Sequence, residues 1–163
     1  EVKIALVGVL ENRGDEGVAT VVDLTSVRKS LYGLFMGNWK MGIADLGDIL
    51  AGNSTMDTYF AVKKVVASLI KKGIVPIVIG GSQDLTYALY RAYDELEQMV
   101  NLVAIDNKFE FGTETDRLSS SSYLTKMVID SPNNLFKYCN IGCQTYYNSQ
   151  EEIDIIEKLY FDD

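Results

Sequence analysis

The sequence has no histidine among its 163 residues. Histidine supplies the base of the common catalytic triads, many general acids and the imidazole ligands of many metal centres, so all three kinds of site are excluded. Any catalysis by this chain would have to use carboxylates, lysine, tyrosine, cysteine, or a metal ion held by oxygen ligands.

Cysteine is scarce as well, with only Cys139 and Cys143. They lie four positions apart in a segment with the pattern of a strand, where both side chains would point to one face, too far apart for an easy disulfide. A two-cysteine metal site would lack its usual histidine partners. We therefore expect two buried thiols in a reducing, cytoplasmic environment.

Basic residues are outnumbered, since 15 Lys and Arg stand against 23 Asp and Glu, for a net charge of -8. This argues against nucleic acid as a partner, because phosphate binding needs a surplus of Lys and Arg. No apolar run approaches the roughly 20 residues that cross a bilayer, and residues 1–10 lack the basic leader and cleavage site of a signal peptide. We predict a cytoplasmic protein that binds neither nucleic acid nor membranes.

The apolar segments that are present alternate with amphipathic ones. Val27, Leu31 and Leu34 have helical spacing, and residues 54–73 read as a helix with a Ser or Thr cap. Predicted strands cover residues 2–10, 42–49, 74–80, 100–106 and 135–143, and predicted helices cover 26–35, 54–73, 84–99, 122–129 and a segment from 149, which starts with a capping box. This order predicts one domain over residues 1–163, with three α/β/α layers and a mostly parallel sheet.

Open parallel sheets bind ligands at the carboxyl ends of their strands, and four predicted segments meet there: the loop after Leu10, the turn 80–84, residues 105–112 and the loop after Cys143. The first, 11–17, carries three acids and no phosphate-binding motif, so we predict an ordinary polar connection. The second is the turn after the third strand, which consists of Gly80, Gly81, Ser82, Gln83 and Asp84.

This turn has two interpretations. Its backbone N–H groups could bind an anion at the start of the next helix. Alternatively, Asp84 itself accepts those N–H bonds and caps the helix. We favour the capping role, because short glycine motifs alone are weak indicators of a site.

Asp106, Lys108 and Glu110 follow the fourth predicted strand at alternate positions. In an extended chain their side chains share one face, so two carboxylates would flank one ammonium group. Such a cluster is either a self-neutralising salt bridge or an altered site for a hard cation such as Mg²⁺ or Ca²⁺, with which the ammonium would compete. We favour the salt bridge.

Together, these two segments resemble those of the ureohydrolase superfamily, which includes arginase, agmatinase and formimidoylglutamase. That family carries Gly-Gly-Asp-His-Ser after one strand and Asp-Ala-His-x-Asp after the next, where this chain has GGSQD (80–84) and DNKFE (106–110). Four further segments resemble the family. Residues 7–17 resemble its first strand and loop, and residues 27–34 its first helix. Residues 43–49 resemble its second strand, and residues 140–152 the strand and helix after the metal-binding loop. The pattern looks most like the arginase and formimidoylglutamase branch.

The resemblance implies a reaction and a metal site. The family hydrolyses a C–N bond of a guanidino or formimino group with two Mn²⁺ ions, which His and Asp hold and a hydroxide bridges. Carried over by position, the metal ligands fall on Gln83, Asp106, Lys108 and Glu110. Asp106 is retained and Glu110 is a conservative change, so these two are the expected metal remnants. Gln83 is a weak ligand, and the charge of Lys108 would repel Mn²⁺.

Family members are longer than this chain, and nothing here matches their later Ser-x-Asp-x-Asp motif. The resemblance therefore implies the N-terminal part of a longer domain, in which late strands lie between the third and fourth. We expect the sheet to close into the order 2-1-3-4-5 if the chain is the whole protein, and missing segments or a partner chain to dock there if it is not. Unpaired strand edges would favour a homo-oligomer.

Three hypotheses about function remain open. In the first, the domain has lost its dimanganese centre, needs no cofactor, has no catalytic residues, and binds a small molecule or a protein through the turn 80–84 and Lys108. In the second, it hydrolyses linear amidines with Mn²⁺ held by Asp84, Asp106, Glu110 and acids of a missing C-terminal half. In the third, it is an assembly module, with ten tyrosines as interface residues. We favour the first.

Overall fold

Strands and helices alternate as the sequence pattern predicts. The computed structural model describes residues 1–15, 22–35, 37 and 38, 40–112 and 117–159. The strands are β1 (Val2–Leu10), β2 (Gly42–Leu50), β3 (Val75–Ile79), β4 (Val100–Ile105) and β5 (Leu135–Ile141). The helices are α1 (Thr25–Tyr32), α2 (Thr55–Lys71), α3 (Leu85–Glu95), α4 (Tyr123–Ile129) and α5 (Gln150–Lys158), and a short 3-10 helix covers Thr145–Tyr147.

Local capping explains where two of the helices begin. At α2, the hydroxyl of Ser54 accepts the N–H of Asp57, and the Asp57 carboxylate accepts the N–H of Ser54. Ser149 and Glu152 form the same reciprocal pair at α5. Both helix starts agree with the sequence prediction, and a cap of this kind stabilises a helix by about 1 kcal/mol.

All strand pairs are parallel, as predicted, but the sheet is in two pieces. In one piece β1 lies between β2 and β3, and in the other β4 pairs with β5. Within the described residues no ladder of backbone hydrogen bonds joins β3 to β4. The sheet is therefore not closed into the order 2-1-3-4-5, and it has the gap between the third and fourth strands that the alternative expectation describes.

Helix α3 connects the two pieces of the sheet through the cores beneath it. Helices α2 to α5 contribute to two adjoining cores, and α3 belongs to both, with Leu85 and Ala88 in the core beneath α2 and Tyr90 in the core beneath α4 and α5. Helix α3 therefore packs across both pieces of the sheet, on the face opposite α1.

Helix α1 lies on the opposite face of the sheet and completes the third layer. A side chain at Gly8 would meet Leu24 and Arg28, whereas the neighbouring Val7 and Val9 point into the cores beneath α2. Alternate residues of a strand face opposite sides of a sheet, so α1 and α2 lie on opposite sides. The predicted α/β/α layers are confirmed.

The face that carries α1 is open on both sides of the gap between β3 and β4. Val75 and Ile77 of β3 are 59% and 43% exposed, and Val103 and Ile105 of β4 are 58% and 84% exposed. Cys139, which pairs with Val103, is only partly buried for the same reason, and both cysteines are thiols rather than partners in a disulfide. An apolar surface of this kind is unusual for a monomer.

None of the described helices has the length and apolar character needed to cross a membrane.

Candidate functional site

The turn after β3 is held close to the loop after β1. Ser82 donates its backbone N–H to the carbonyl of Glu11 at 3.2 Å. A Cβ atom at Gly81 would lie 2.1 Å from that carbonyl oxygen, so only glycine fits there. Both glycines of the turn and Gln83 are exposed, whereas Ser82 and Asp84 are buried. Of the predicted cleft residues, Ser82 and Asp84 are thus out of reach of a ligand.

Asp84 occupies the N-cap position of α3 but does not cap the helix. Its backbone is helical (φ -57°, ψ -19°), and its side chain makes no hydrogen bond to the first turn. The buried carboxylate accepts hydrogen bonds from the Tyr59 hydroxyl and, at 3.2 Å, from the Ser120 hydroxyl. The predicted cap is wrong, because capping needs an extended backbone at this position. Burial, together with Asp84, raises the pKa of Tyr59.

Gln83 and Asp106 meet across the gap in the sheet. The side-chain amide of Gln83 donates to Oδ2 of Asp106 at 2.5 Å, although the strands that position them are not paired. The other oxygen, Oδ1, accepts the N–H of Lys108 at 3.2 Å, and the N–H of Asp106 donates to the carbonyl of Ile141 at 3.2 Å. The structure thus brings together two positions to which the resemblance assigns metal ligands.

Lys108 and Glu110 do not form the predicted salt-bridge cluster with Asp106. The chain leaves the extended conformation after β4, and Glu110 has a left-handed backbone with φ 59°, so the alternation of an extended chain does not apply here. Lys108 is exposed and has no ion pair within the described part of the chain. Burial raises the pKa of Glu110 to about 6, against the opposing charge of Lys108.

Two asparagines that the sequence prediction missed hold the 106–110 segment in place. Asn148 accepts the N–H of Phe109 and donates to the carbonyl of Asn107, both at 2.9 Å. Asn140, on β5, donates to the carbonyl of Lys108 at 2.8 Å. Asn148 directly precedes the capping serine of α5, and an amide side chain in such a loop is a signal for side-chain hydrogen bonds to the backbone.

An ion pair between a buried carboxylate and a partly exposed guanidinium in the loop after β1 was also missed. The side chain of Glu11 is fully buried, and Arg13 contacts both its oxygens, from Nε at 2.9 Å and from Nη2 at 2.6 Å. Thr58 adds a hydroxyl hydrogen bond at 2.8 Å. The hydrogen bonds from Arg13, with that from Thr58, lower the pKa of Glu11 to about 2.

Arg13 also joins this loop to the loop before α2. Its guanidinium donates to the carbonyls of Gly52 at 2.8 Å and Asn53 at 3.1 Å. The predicted polar loop is therefore fixed to the loop before α2 by the Arg13 side chain. In the sequence, the spacing of Glu11 and Arg13 was the feature from which this ion pair could have been predicted. The last two residues of the predicted loop, 16 and 17, lie outside the described residues.

The described residues do not fit a two-metal centre. They contain no group of three or more His, Cys, Asp or Glu side chains that could hold an ion. The side-chain N–H of Gln83 donates to the Asp106 carboxylate, so one of the few oxygen atoms that could bind a metal already accepts a hydrogen bond. Lys108 adds a positive charge to the same loop, and Asp106 and Glu110 have no histidine to join them.

Comparison with known proteins identifies the family. The model of the arginase family matches residues 21–162, most of the sequence. The chain belongs to the arginase family. The resemblance to the ureohydrolases is thereby confirmed, although the comparison with curated proteins gives no match.

Solved structures share the fold of this arginase-family chain at low identity. Formiminoglutamase from Trypanosoma cruzi, whose crystal structure contains Mn²⁺, has a TM-score of 0.84 and 16% identity. Formimidoylglutamase from Bacillus subtilis has 0.83 and 14%, and arginase from Medicago truncatula has 0.78 and 14%. Each match covers 99% of this chain but only 59%, 54% and 55% of the solved chains. The chain thus spans less than two thirds of their length.

Proposed function

We propose that this chain is a non-catalytic member of the arginase family that has lost the dimanganese centre and serves in binding or assembly. The observation that carries the proposal is the hydrogen bond between Gln83 and Asp106. It joins side chains at two positions where the family resemblance places metal ligands. A carboxylate has about four acceptor sites on its two oxygens, and the amide N–H of Gln83 and the backbone N–H of Lys108 use one on each oxygen, so a cation at Asp106 would compete with Gln83.

The charge of Lys108 supports the same conclusion. By position it replaces a histidine ligand, and no described acid pairs with it. An ammonium about 4 Å from a divalent ion would be repelled by roughly 8 kcal/mol at an effective dielectric constant of 20. Lys108 could avoid this by pointing into solvent, but the site would then have one ligand fewer.

The surface that remains for a partner is small and lies at the strand ends. Gly80, Gly81, Gln83 and Lys108 are exposed there. They would offer an amide, an ammonium group and turn backbone to a small molecule or a protein. A cytoplasmic location and the absence of nucleic-acid and membrane partners stay predictions from composition.

The test is a calorimetric titration of Mn²⁺ into the native chain and into the double variant Gln83→His/Lys108→His, with thermal melting alongside. We expect no binding and no melting shift for the native chain. We expect measurable binding by the variant, because two imidazoles would join Asp106. The variant Gln150→His/Lys158→His adds two histidines to α5 and should bind no Mn²⁺.

Each contrary result has a distinct meaning. Tight Mn²⁺ binding by the native chain would overturn the loss of the metal centre. A folded double variant that gains no affinity would contradict the positional assignment of residues 83 and 108.

The second candidate function is hydrolysis of a C–N bond in a linear amidine. It is favoured by the length of the solved relatives, of which two fifths or more have no counterpart here. Asp106 and Glu110 would then hold Mn²⁺ with acids from further polypeptide, without Asp84, whose buried carboxylate is bound to Tyr59 and Ser120. This candidate predicts that a longer chain, and not residues 1–163 alone, binds Mn²⁺ tightly and hydrolyses formiminoglutamate or arginine.

A further inference from the structure

We propose that the hydrogen bond between Gln83 and Asp106 is a structural clasp that joins the two pieces of the sheet where a metal ion would otherwise connect them. The inference rests on the proposed loss of the metal centre and assigns a new role to the same positions. It predicts that the local stability of the segment after β4 depends on the side chain of Gln83, and that the local stability of the turn after β3 depends on the side chain of Asp106.

The position of the bond is the first argument. Gln83 follows β3 in the turn that leads to α3, and Asp106 is the first residue after β4. The two strands share no backbone ladder, so their carboxyl ends are joined here by side chains. A bond from an amide to a carboxylate is charge-assisted and stronger than one between neutral groups.

Both partners are attached firmly to their own piece of the sheet, which is the second argument. The carbonyl of Gln83 accepts the N–H of Thr86 at 2.9 Å, at the start of α3, and the adjacent Ser82 is bound to the loop after β1. Asp106 is fixed by the N–H of Lys108 and by the carbonyl of Ile141 on β5. A displacement of either residue is therefore opposed by hydrogen bonds within its own piece of the sheet.

The other polar links at this end of the sheet take a different route. Ser120 donates its N–H to the carbonyl of Gly14 at 3.1 Å and its hydroxyl to Asp84. Arg117 donates to the carbonyl of Arg13 at 3.1 Å. These bonds connect the loop 117–122 with the first piece of the sheet and do not involve the end of β4.

Residue-resolved hydrogen exchange of the variant Gln83→Ala tests the clasp. We expect the backbone N–H groups of Asp106 and Lys108 to exchange about fivefold faster, although both lie in the other piece of the sheet. The converse variant Asp106→Ala should speed exchange at Ser82 and Thr86. Asp106→Asn keeps an acceptor oxygen and should retain most of the native protection.

The pair of Gln150 and Asp154 is a matched control. Its amide donates to a carboxylate at 2.9 Å, but within the single helix α5. Gln150→Ala should leave exchange at Asp106 and Lys108 unchanged. If Gln83→Ala changes exchange only within residues 80–86, the clasp is wrong while the proposed loss of the metal centre stands. Mn²⁺ binding by the native chain would instead overturn the proposed function itself.

Discussion

Glu11 connects three segments at the level of a single residue. Its carboxylate receives hydrogen bonds from Arg13 and Thr58, and its carbonyl accepts the N–H of Ser82. It therefore joins the loop after β1 to α2 and to the turn that precedes α3. Loss of one partner from a buried pair leaves the other charge unpaired, which costs more than the pair itself contributes.

We predict that Glu11 makes the stability of the chain depend on pH. Its pKa is about 2 in the folded chain against a usual value of 4.5, so folding favours the charged form. The stabilisation is fully present above about pH 4.5 and is lost as the pH falls to about 2. A tenfold change in proton affinity is worth about 1.4 kcal/mol, so the whole contribution is roughly 3 kcal/mol.

Melting temperatures of the native chain and of Glu11→Gln measure this contribution. We expect the variant to melt lower at neutral pH and the difference to shrink as the pH falls below about 4.5. Glu157→Gln changes an exposed glutamate of α5 and should show no such trend. A difference that stays constant over the whole pH range would contradict the role of the Glu11 charge.

Parts of the candidate site were predictable at this scale, and others were not. Gln83 and Asp106 could be placed at one edge of the sheet, because the carboxyl ends of parallel strands meet there. The contacts of Asp84 could not be predicted, since Tyr59 is 25 residues away in another helix and Ser120 lies in another loop. Hydrogen bonds between distant segments leave no local pattern in the sequence.

At the scale of the elements, α1 is attached to the sheet by charge rather than by an apolar face. None of its residues is buried. Arg28 contacts Asp45 at 2.8 Å and Asp48 at 2.7 Å on β2, and Tyr32 donates its hydroxyl to Asp45. The hydrogen bonds from Arg28 lower the pKa of Asp45 to about 2. The Arg28 side chain is only 18% exposed, so these pairs are better shielded than ordinary surface pairs.

We predict that Arg28→Gln releases α1 from the sheet. The variant leaves two carboxylates without their cation, at a cost on the order of 2 kcal/mol. Hydrogen exchange in residues 25–32 should therefore rise by roughly tenfold or more. Lys29→Gln removes the same charge from the neighbouring, exposed position and should have little effect. Equal exchange in the two variants would show that α1 does not depend on the ion pairs.

The elements themselves were largely predictable, because their signals are local. The third strand is predicted over 74–80 and observed at Val75–Ile79, and the capping serines mark the starts of α2 and α5. The burial of a helix, in contrast, could not be predicted from local signals. Val27 and Leu34 have the spacing of a buried face, yet Val27 is 42% exposed and Leu34, just beyond α1, is 69% exposed. The spacing of apolar residues predicts a helix, but the burial of its apolar face depends on the elements that pack against it.

At the scale of the whole molecule, the sequence left two arrangements of the strands open, a closed sheet and a sheet with a gap, and the structure has the gap. Which strands pair depends on contacts between distant elements, and no single segment of the sequence records them. Within the described residues, β3 and β4 have no strand partner at the gap, and apolar side chains are exposed on both sides of it. Exposed edges of this kind pair readily with other strands.

We propose that the open face makes the chain self-associate. Burial of an exposed Ile or Val side chain contributes about 1.5–3 kcal/mol, and Val75, Val103 and Ile105 are each more than half exposed. The net charge of -8 opposes association, so added salt should strengthen it by screening the repulsion.

Sedimentation velocity over a range of micromolar concentrations measures this association. Ile105→Lys places a charge at the most exposed of these side chains and should shift the population to monomer. Ser68→Lys adds the same charge to an exposed position of α2, on the opposite face, and should leave association unchanged. Because both variants reduce the net negative charge equally, a difference between them isolates the open face from the effect of overall repulsion. A native chain that stays monomeric at every concentration and salt level would show that this face is stable in water without a second copy.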